Sequence, residues 1–314
     1  MTPETRAADQ PAPAATVGRL GVWGHLDALR AGDAIAYAER LAALGYGCLW
    51  VPEVAGREPF ALLGLLAGAT RGDIALGTSI ASIWARGPQA ARMAALTLQE
   101  ATGGRFVLGL GVSHAHMSRR LHGQEYERPL SRMRAYLAGY RAAVYRGPLH
   151  EPAPEPPVVL AALREKMLDL AATETQGAFP YLVTAERVAW MRTRLDAAAT
   201  AAGRPRPLLA VTLPVALGEE AAATLAAARG YLAPYLRTPN YQASWALQGF
   251  EAADWEAPGS ERLVDALVAR GPAAAAAARI AALHAAGADH VALIPLTPEG
   301  GTEQLATLEV LAPR

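Results

Sequence analysis

Short, unbroken apolar runs alternate along the chain with longer segments in which apolar residues recur at helical spacing. The runs are Leu20–Gly24, Cys48–Val51, Ile74–Ile80, Phe106–Val112, Val158–Ala162, Phe179–Val183, Leu208–Ala216 and His290–Pro295. Most are continuous rather than alternating, which is the pattern of strands covered on both faces. The segments between them carry helix punctuation. Asp33–Leu44 stops at Gly45, Pro88 opens a helix that ends at Gly103-Gly104, and Pro272 opens one that ends at Gly287. Pro59–Thr70, Ser131–Val144, Arg164–Glu174, Ala185–Ala202, Glu219–Arg229 and Glu303–Leu311 complete the helical set. Eight strands, each followed by a helix, predict a single (β/α)8 barrel with its chemistry at the carboxyl ends of the strands. A doubly wound sheet would usually place a glycine-rich phosphate fingerprint after the first strand, and none follows Trp23.

Two connections, Ser113–Leu130 and Gly230–Ser260, exceed simple loops and are expected to be lids or binding loops inserted into the barrel. Residues 1–16, rich in Pro and Ala and without an apolar core, read as a disordered leader, and 17–314 as the barrel domain. With 29 basic against 29 acidic residues, no net field favours nucleic acid or an anionic membrane. Ala61–Ala69 is about half the length of a membrane span. These features predict a soluble, cytoplasmic protein. Cys48 stands alone inside an apolar run and reads as a buried, inert thiol.

The stretch Asp73–His114 holds the strongest local signal, LGTSI at Leu76–Ile80 followed by a helix and GRFVLGLGVSH at Gly104–His114. Together with PPVVLAAL and QGAFPYLVT between Pro156 and Thr184, and ADHVALIPL at Ala288–Leu296, it resembles the luciferase-like oxidoreductases, especially the branch that uses the deazaflavin coenzyme F420. The resemblance spans roughly Gly21 to Leu311. It implies a non-prolyl cis peptide at Ser79-Ile80 supporting the cofactor ring, and an open barrel mouth at Gly109 and Gly111. It also implies backbone contacts from Val112 and Ser113 to the ring edge, and a phosphate-bearing tail near Ala162, Gly177 and Ala178. The chain departs from the family at Arg164-Glu165, where relatives often have Gly-Pro, and at Gln176, Phe179, Ala185 and Arg187.

Hydride transfer to or from a small organic substrate (an alcohol or ketone, an imine, or an activated alkene) calls for a proton donor or acceptor beside the ring. His114, Glu53 and His25, each just past a strand end, are the candidates, with Met117, Trp84, Tyr241 and Trp245 as possible pocket walls. The resemblance implies a histidine after Glu53, where this chain has Val54. An FMN-dependent monooxygenase and a barrel that has lost cofactor use are the alternatives. A metal-dependent hydrolase is a weaker one, because His114-x-His116 with His122 lies in one loop rather than across several strand ends. The family resemblance further implies a homodimer.

Overall fold

The apolar runs pair side by side in sequence order, each returning through a helix, in the computed structural model, which describes residues 16–70, 72–151, 153, 155–297 and 304–313. The strands are β1 (Leu20–Trp23), β2 (Cys48–Val51), β3 (Ala75–Thr78), β4 (Ala81–Ser82), β5 (Phe106–Gly111), β6 (Val158–Leu160), β7 (Gly177–Ala178), β8 (Leu208–Leu217), β9 (Ala269–Gly271) and β10 (His290–Pro295). Their described pairings are all parallel, and β10 bonds to both β8 and β1, closing a (β/α)8 barrel. β4 carries β3 past a break and pairs with β5, while β9 lies beside the far end of β8. The surrounding helices that matter below are α1 (Ala31–Ala43), α2 (Pro59–Thr70), α3 (Pro88–Ala101), α4 (Ala115–His122), α5 (Pro129–Ala142), α6 (Glu165–Glu174), α7 (Ala185–Ala201) and α8 (Ala221–Leu232). Then follow α9 (Pro239–Ala246), α10 (Ala252–Trp255), α11 (Glu261–Leu267), α12 (Ala273–Ala285) and α13 (Leu305–Val310).

Alternation along each strand sorts side chains into two cores. Leu49, Val51, Leu76, Leu108, Val211 and Leu293 face the helices, whereas Cys48, Trp50, Ala75, Val107, Ala210 and Ala292 face the barrel axis. The inward residues are small because one large ring fills the centre. Trp50 is fully buried, its Nε1 donates to His290 Nε2 at 2.9 Å, and its ring meets Phe179 edge-on at 4.7 Å. Gly77 makes room for it, since a Cβ there would stand 2.4 Å from the indole. The axial core runs on into Tyr241, Trp245, Phe250 and Leu263, so the long connection after α8 caps the barrel as helices rather than as a bare loop.

Several element boundaries differ from the sequence expectation. The sixth strand lies at Gly177–Ala178, not Phe179–Val183: the latter run is buried apart from half-buried Tyr181, but Leu182 has φ 55°, which no strand accommodates. The third run is broken at Ser79-Ile80 rather than continuous. α4 occupies much of the expected loop Ser113–Leu130, and β9 was not anticipated. All but Thr16 of the expected leader lies outside the described residues. Cys48 is buried inside β2 and its thiol is pushed up by desolvation, as an inert core cysteine should be. Among the described residues no helix is long and apolar enough to cross a membrane.

Candidate active site

At the carboxyl ends of β1 to β7 a cavity of about 950 Å³ opens, with α9 and the segment before it forming its far wall. That volume is at the upper end for small-molecule sites, enough for a planar cofactor and a substrate together. Its floor is the break between β3 and β4. Ser79 and Ile80 line the cavity, joined by a cis peptide as the family resemblance implied. The shelf is held from three sides. Ser79 N–H donates to Val51 O at 2.8 Å, Trp23 Nε1 donates to Ser79 O at 3.0 Å, and Thr78 Oγ1 bridges to Gly109, accepting from its N–H at 2.9 Å and donating to its carbonyl at 2.8 Å. Glycine is required at 109, because a Cβ would stand 1.9 Å from Thr78 O. At Gly111 a Cβ would press on the Ile80 side chain at 2.5 Å, so that glycine sits behind the shelf and does not itself line the cavity.

Past β5, Val112 and Ser113 turn into the cavity, Ser113 at φ 51°. Their carbonyls already accept hydrogen bonds, from Trp84 Nε1 at 2.7 Å and Tyr126 Oη at 3.3 Å. Ala162 lines the cavity after β6, but Gly177 and Ala178 form β7 itself and are buried away from it. The expected tail contacts at those two positions are therefore not presented. In their place the cavity rim carries Arg164, Glu165 and Lys166 at the first turn of α6, a net positive charge to which unpaired helix N–H groups add. Arg187 bonds Leu163 O at 3.0 Å and stacks over Trp190, which ties down the β6–α6 loop.

The three candidate proton-transfer residues all reach the cavity, in different states. Glu53 accepts from Ser82 N–H at 2.6 Å and is held by both guanidinium nitrogens of Arg86, so its carboxylate is committed to fixing the β2 and β4 ends. His25 lies near the rim, its Nδ1 3.5 Å from the Asp27 carboxylate. His114 immediately precedes α4 without a side-chain bond to it, stacks on His116 at 5.9 Å and meets Tyr241 at 5.3 Å between ring centres. Burial and the neighbouring His116 push its pKa down to about 4, which leaves a neutral imidazole at pH 7. Of the expected walls, Met117 and Tyr241 line the cavity, whereas Trp84 and Trp245 pack behind it.

Two features escaped the sequence. Arg86 sits 33 positions from Glu53, with no spacing that marks the pair. Tyr181, Tyr231 and Tyr235 bring their hydroxyls together from the segment after β7 and from the end of α8, and Tyr181 and Tyr235 line the cavity. Among the described residues no group of three or more His, Cys, Asp or Glu side chains is arranged to hold a metal ion.

A family model described as luciferase-like monooxygenase matches residues 14–290. A candidate coenzyme F420-dependent oxidoreductase of Mycobacterium tuberculosis, Rv3520c, is 35% identical over 119 residues, covering 38% of this chain and 33% of that protein. The phthiodiolone/phenolphthiodiolone dimycocerosates ketoreductase of Mycobacterium bovis is 32% identical over 145 residues, 45% of this chain and 37% of the relative. The matches thus take in little more than a third of those relatives' length. Among solved structures, the coenzyme F420 dependent tetrahydromethanopterin reductase of Methanopyrus kandleri superposes with a TM-score of 0.75 at 15% identity, over 94% of this chain and 97% of that one. The FMN complex of the oxygenating constituent of 3,6-diketocamphane monooxygenase from Pseudomonas putida gives 0.72, also at 15% identity, over 94% and 96%. At that identity the likeness establishes the fold.

Proposed function

Because this chain belongs to the luciferase-like monooxygenase family, we propose that it is an oxidoreductase passing hydride between coenzyme F420 and a small organic substrate, an alcohol or ketone, an imine or an activated alkene. The observation that carries this reading is the shelf: a strand broken at Ser79-Ile80, pinned by Trp23 and Thr78 and backed by Gly109 and Gly111, facing a cavity large enough for ring and substrate. Ser79, Ile80, Val112 and Ser113 would meet the ring, and Ala162, Arg164 and Lys166 with the start of α6 would meet an anionic tail. The bound deazaflavin supplies the hydride donor or acceptor. The chain's own contribution is a largely apolar wall and a neutral His114, which can hydrogen-bond a substrate oxygen without carrying charge. Glu53, paired with Arg86, positions the shelf's neighbours rather than moving protons.

The same reading includes a homodimer. α2 is apolar on all sides, and its outer face leaves Ala61, Gly64, Leu65 and Gly68 exposed beside exposed Met93 of α3, a face that a second copy would cover. Leu65→Glu should convert a dimer to a monomer in sedimentation.

The cofactor test is a titration of the purified protein with F420, with FMN and with zinc, each followed by its own absorbance or fluorescence or by displacement. Saturable binding of F420 alone supports the proposal. FMN binding without F420 binding would make it a flavin monooxygenase, and binding of neither by a folded barrel would overturn cofactor use.

A further inference from the structure

Three tyrosine hydroxyls meet beside the cavity, and two of the three residues, Tyr181 and Tyr235, line it. Tyr181 follows β7, Tyr231 lies in the last turn of α8 and Tyr235 just beyond it, and the Tyr181 Oη contacts both Tyr231 Oη and, at 3.1 Å, Tyr235 Oη. Their rings pack at 5.5 Å (Tyr181 with Tyr235) and 5.6 Å (Tyr231 with Tyr235). We propose that Tyr181, Tyr231 and Tyr235 act as one unit that turns a single hydroxyl donor into the cavity, and that this donor selects substrates presenting an uncharged acceptor oxygen, above all a carbonyl, on an apolar body.

Counting protons leads there. Each phenol has one O–H to give and can accept two hydrogen bonds. The trio holds three protons and makes two short hydrogen bonds within itself, both at the Tyr181 hydroxyl, so one donor has no short partner inside the trio. Tyr231 is buried and does not line the cavity, and its hydroxyl meets that of Tyr181, so its proton is used inside the trio. The spare O–H then belongs to Tyr181 or Tyr235, and both line the cavity. A buried donor left unmatched is costly, whereas a carbonyl oxygen placed on it satisfies it without bringing in charge.

The surroundings suit that choice. Tyr181 packs on Trp23 at 5.8 Å, and Trp23 in turn donates to Ser79 O, so the trio is one indole ring away from the shelf. Tyr241 closes the other flank, 5.2 Å from Tyr235 and 5.3 Å from His114. Burial raises the pKa of all three phenols, which keeps them protonated as donors. Of the ionised groups that line the cavity, Glu53 is held by Arg86 and Arg164 bonds Asn240 at 3.2 Å, while Glu165 and Lys166 lie at the start of α6.

The inference rests on the reading of this cavity as an oxidoreductase's substrate site, yet it is tested without any cofactor. Calorimetry on the full chain compares acetophenone with α-methylstyrene, its near-isostere in which a methylene replaces the oxygen. The native protein should bind the ketone about tenfold more tightly. Tyr181→Phe and Tyr235→Phe each leave one hydroxyl on the wall and should retain most of that preference, while the double variant should lose it, a non-additive result. The carbonyl stretch of bound acetophenone, read by infrared difference on the native protein, should lie below its value in an alkane and needs no variant to fold. No preference in the native protein, full preference in the double variant, or an unshifted carbonyl stretch would overturn the inference. A protein that prefers the ketone but binds no F420 would leave the trio in place and remove the proposed function.

Discussion

At the scale of single residues, burial decides what the histidines can do. His290 is fully enclosed between Trp50 and Gly18, with Nε2 accepting from the indole and Nδ1–H donating to the Gly18 carbonyl, and burial lowers its pKa to about 4. In the unfolded chain a histidine titrates near 6.5. The folded state therefore binds fewer protons between those values, so the contribution to stability is complete above about pH 6.5 and is lost as the pH falls towards 4, by about 3 kcal/mol. Melting of the native protein should fall across that window, and His290→Gln, less stable at neutral pH, should show a flatter profile there. His114 shares the direction of shift but faces the cavity. His114→Ala should lower kcat/KM by about a hundredfold while F420 affinity holds, and the acid limb of the native pH profile should lie near 4 rather than 6.5. The two glycines behind the shelf separate packing from function. Gly109→Ala meets backbone and should cost about 3 kcal/mol in denaturant unfolding, whereas Gly111→Ala meets the movable end of Ile80, should cost less, and should weaken ring binding by displacing the shelf.

Among the elements, the cap over the barrel is the part most open to perturbation. Asp254 gathers it, accepting from Glu251 N–H at 2.9 Å, Ser260 Oγ at 2.6 Å and Arg262 at 2.5 Å, and these bonds, Ser260 first, hold its carboxyl below the usual carboxylate range. Asp254→Asn should speed proteolysis between Ala233 and Ser260 while shifting global unfolding by no more than about 1 kcal/mol. The same cap marks where the sequence was hard to read. The barrel strands were legible because a parallel strand buried on both faces is a continuous apolar run, and because Pro88, Gly45 and Gly287 punctuate the helices. Phe179–Val183 looked equally apolar, but its burial comes from plugging the barrel top against Trp50 and Trp245, and local hydrophobicity does not distinguish plugging from pairing. α4, AHMSRRLH, is only eight residues long and mostly polar, so it reads as loop despite being amphipathic. At the site, the shelf and His114 were legible as local motifs. The Glu53–Arg86 pair and the tyrosine trio are products of barrel closure, joining residues with no mutual spacing.

For the whole molecule, closure is the central event. β10 carries six register pairs to β8 and three to β1, joining the two ends of the chain. A chain ending at Gly287 loses both sets, and it should show no cooperative thermal transition by circular dichroism, although each earlier strand–helix unit keeps its sequence. Closure also gathers aromatic rings at the mouth. Trp23 and Trp84 donate from their indole nitrogens to the carbonyls of Ser79 and Val112, the backbone that walls the cavity. Those two indoles are thus optical antennae wired into the floor and rim. Any chromophore settling there lies within energy-transfer range of their emission, so the unlabelled protein reports its own occupancy as a loss of ultraviolet fluorescence.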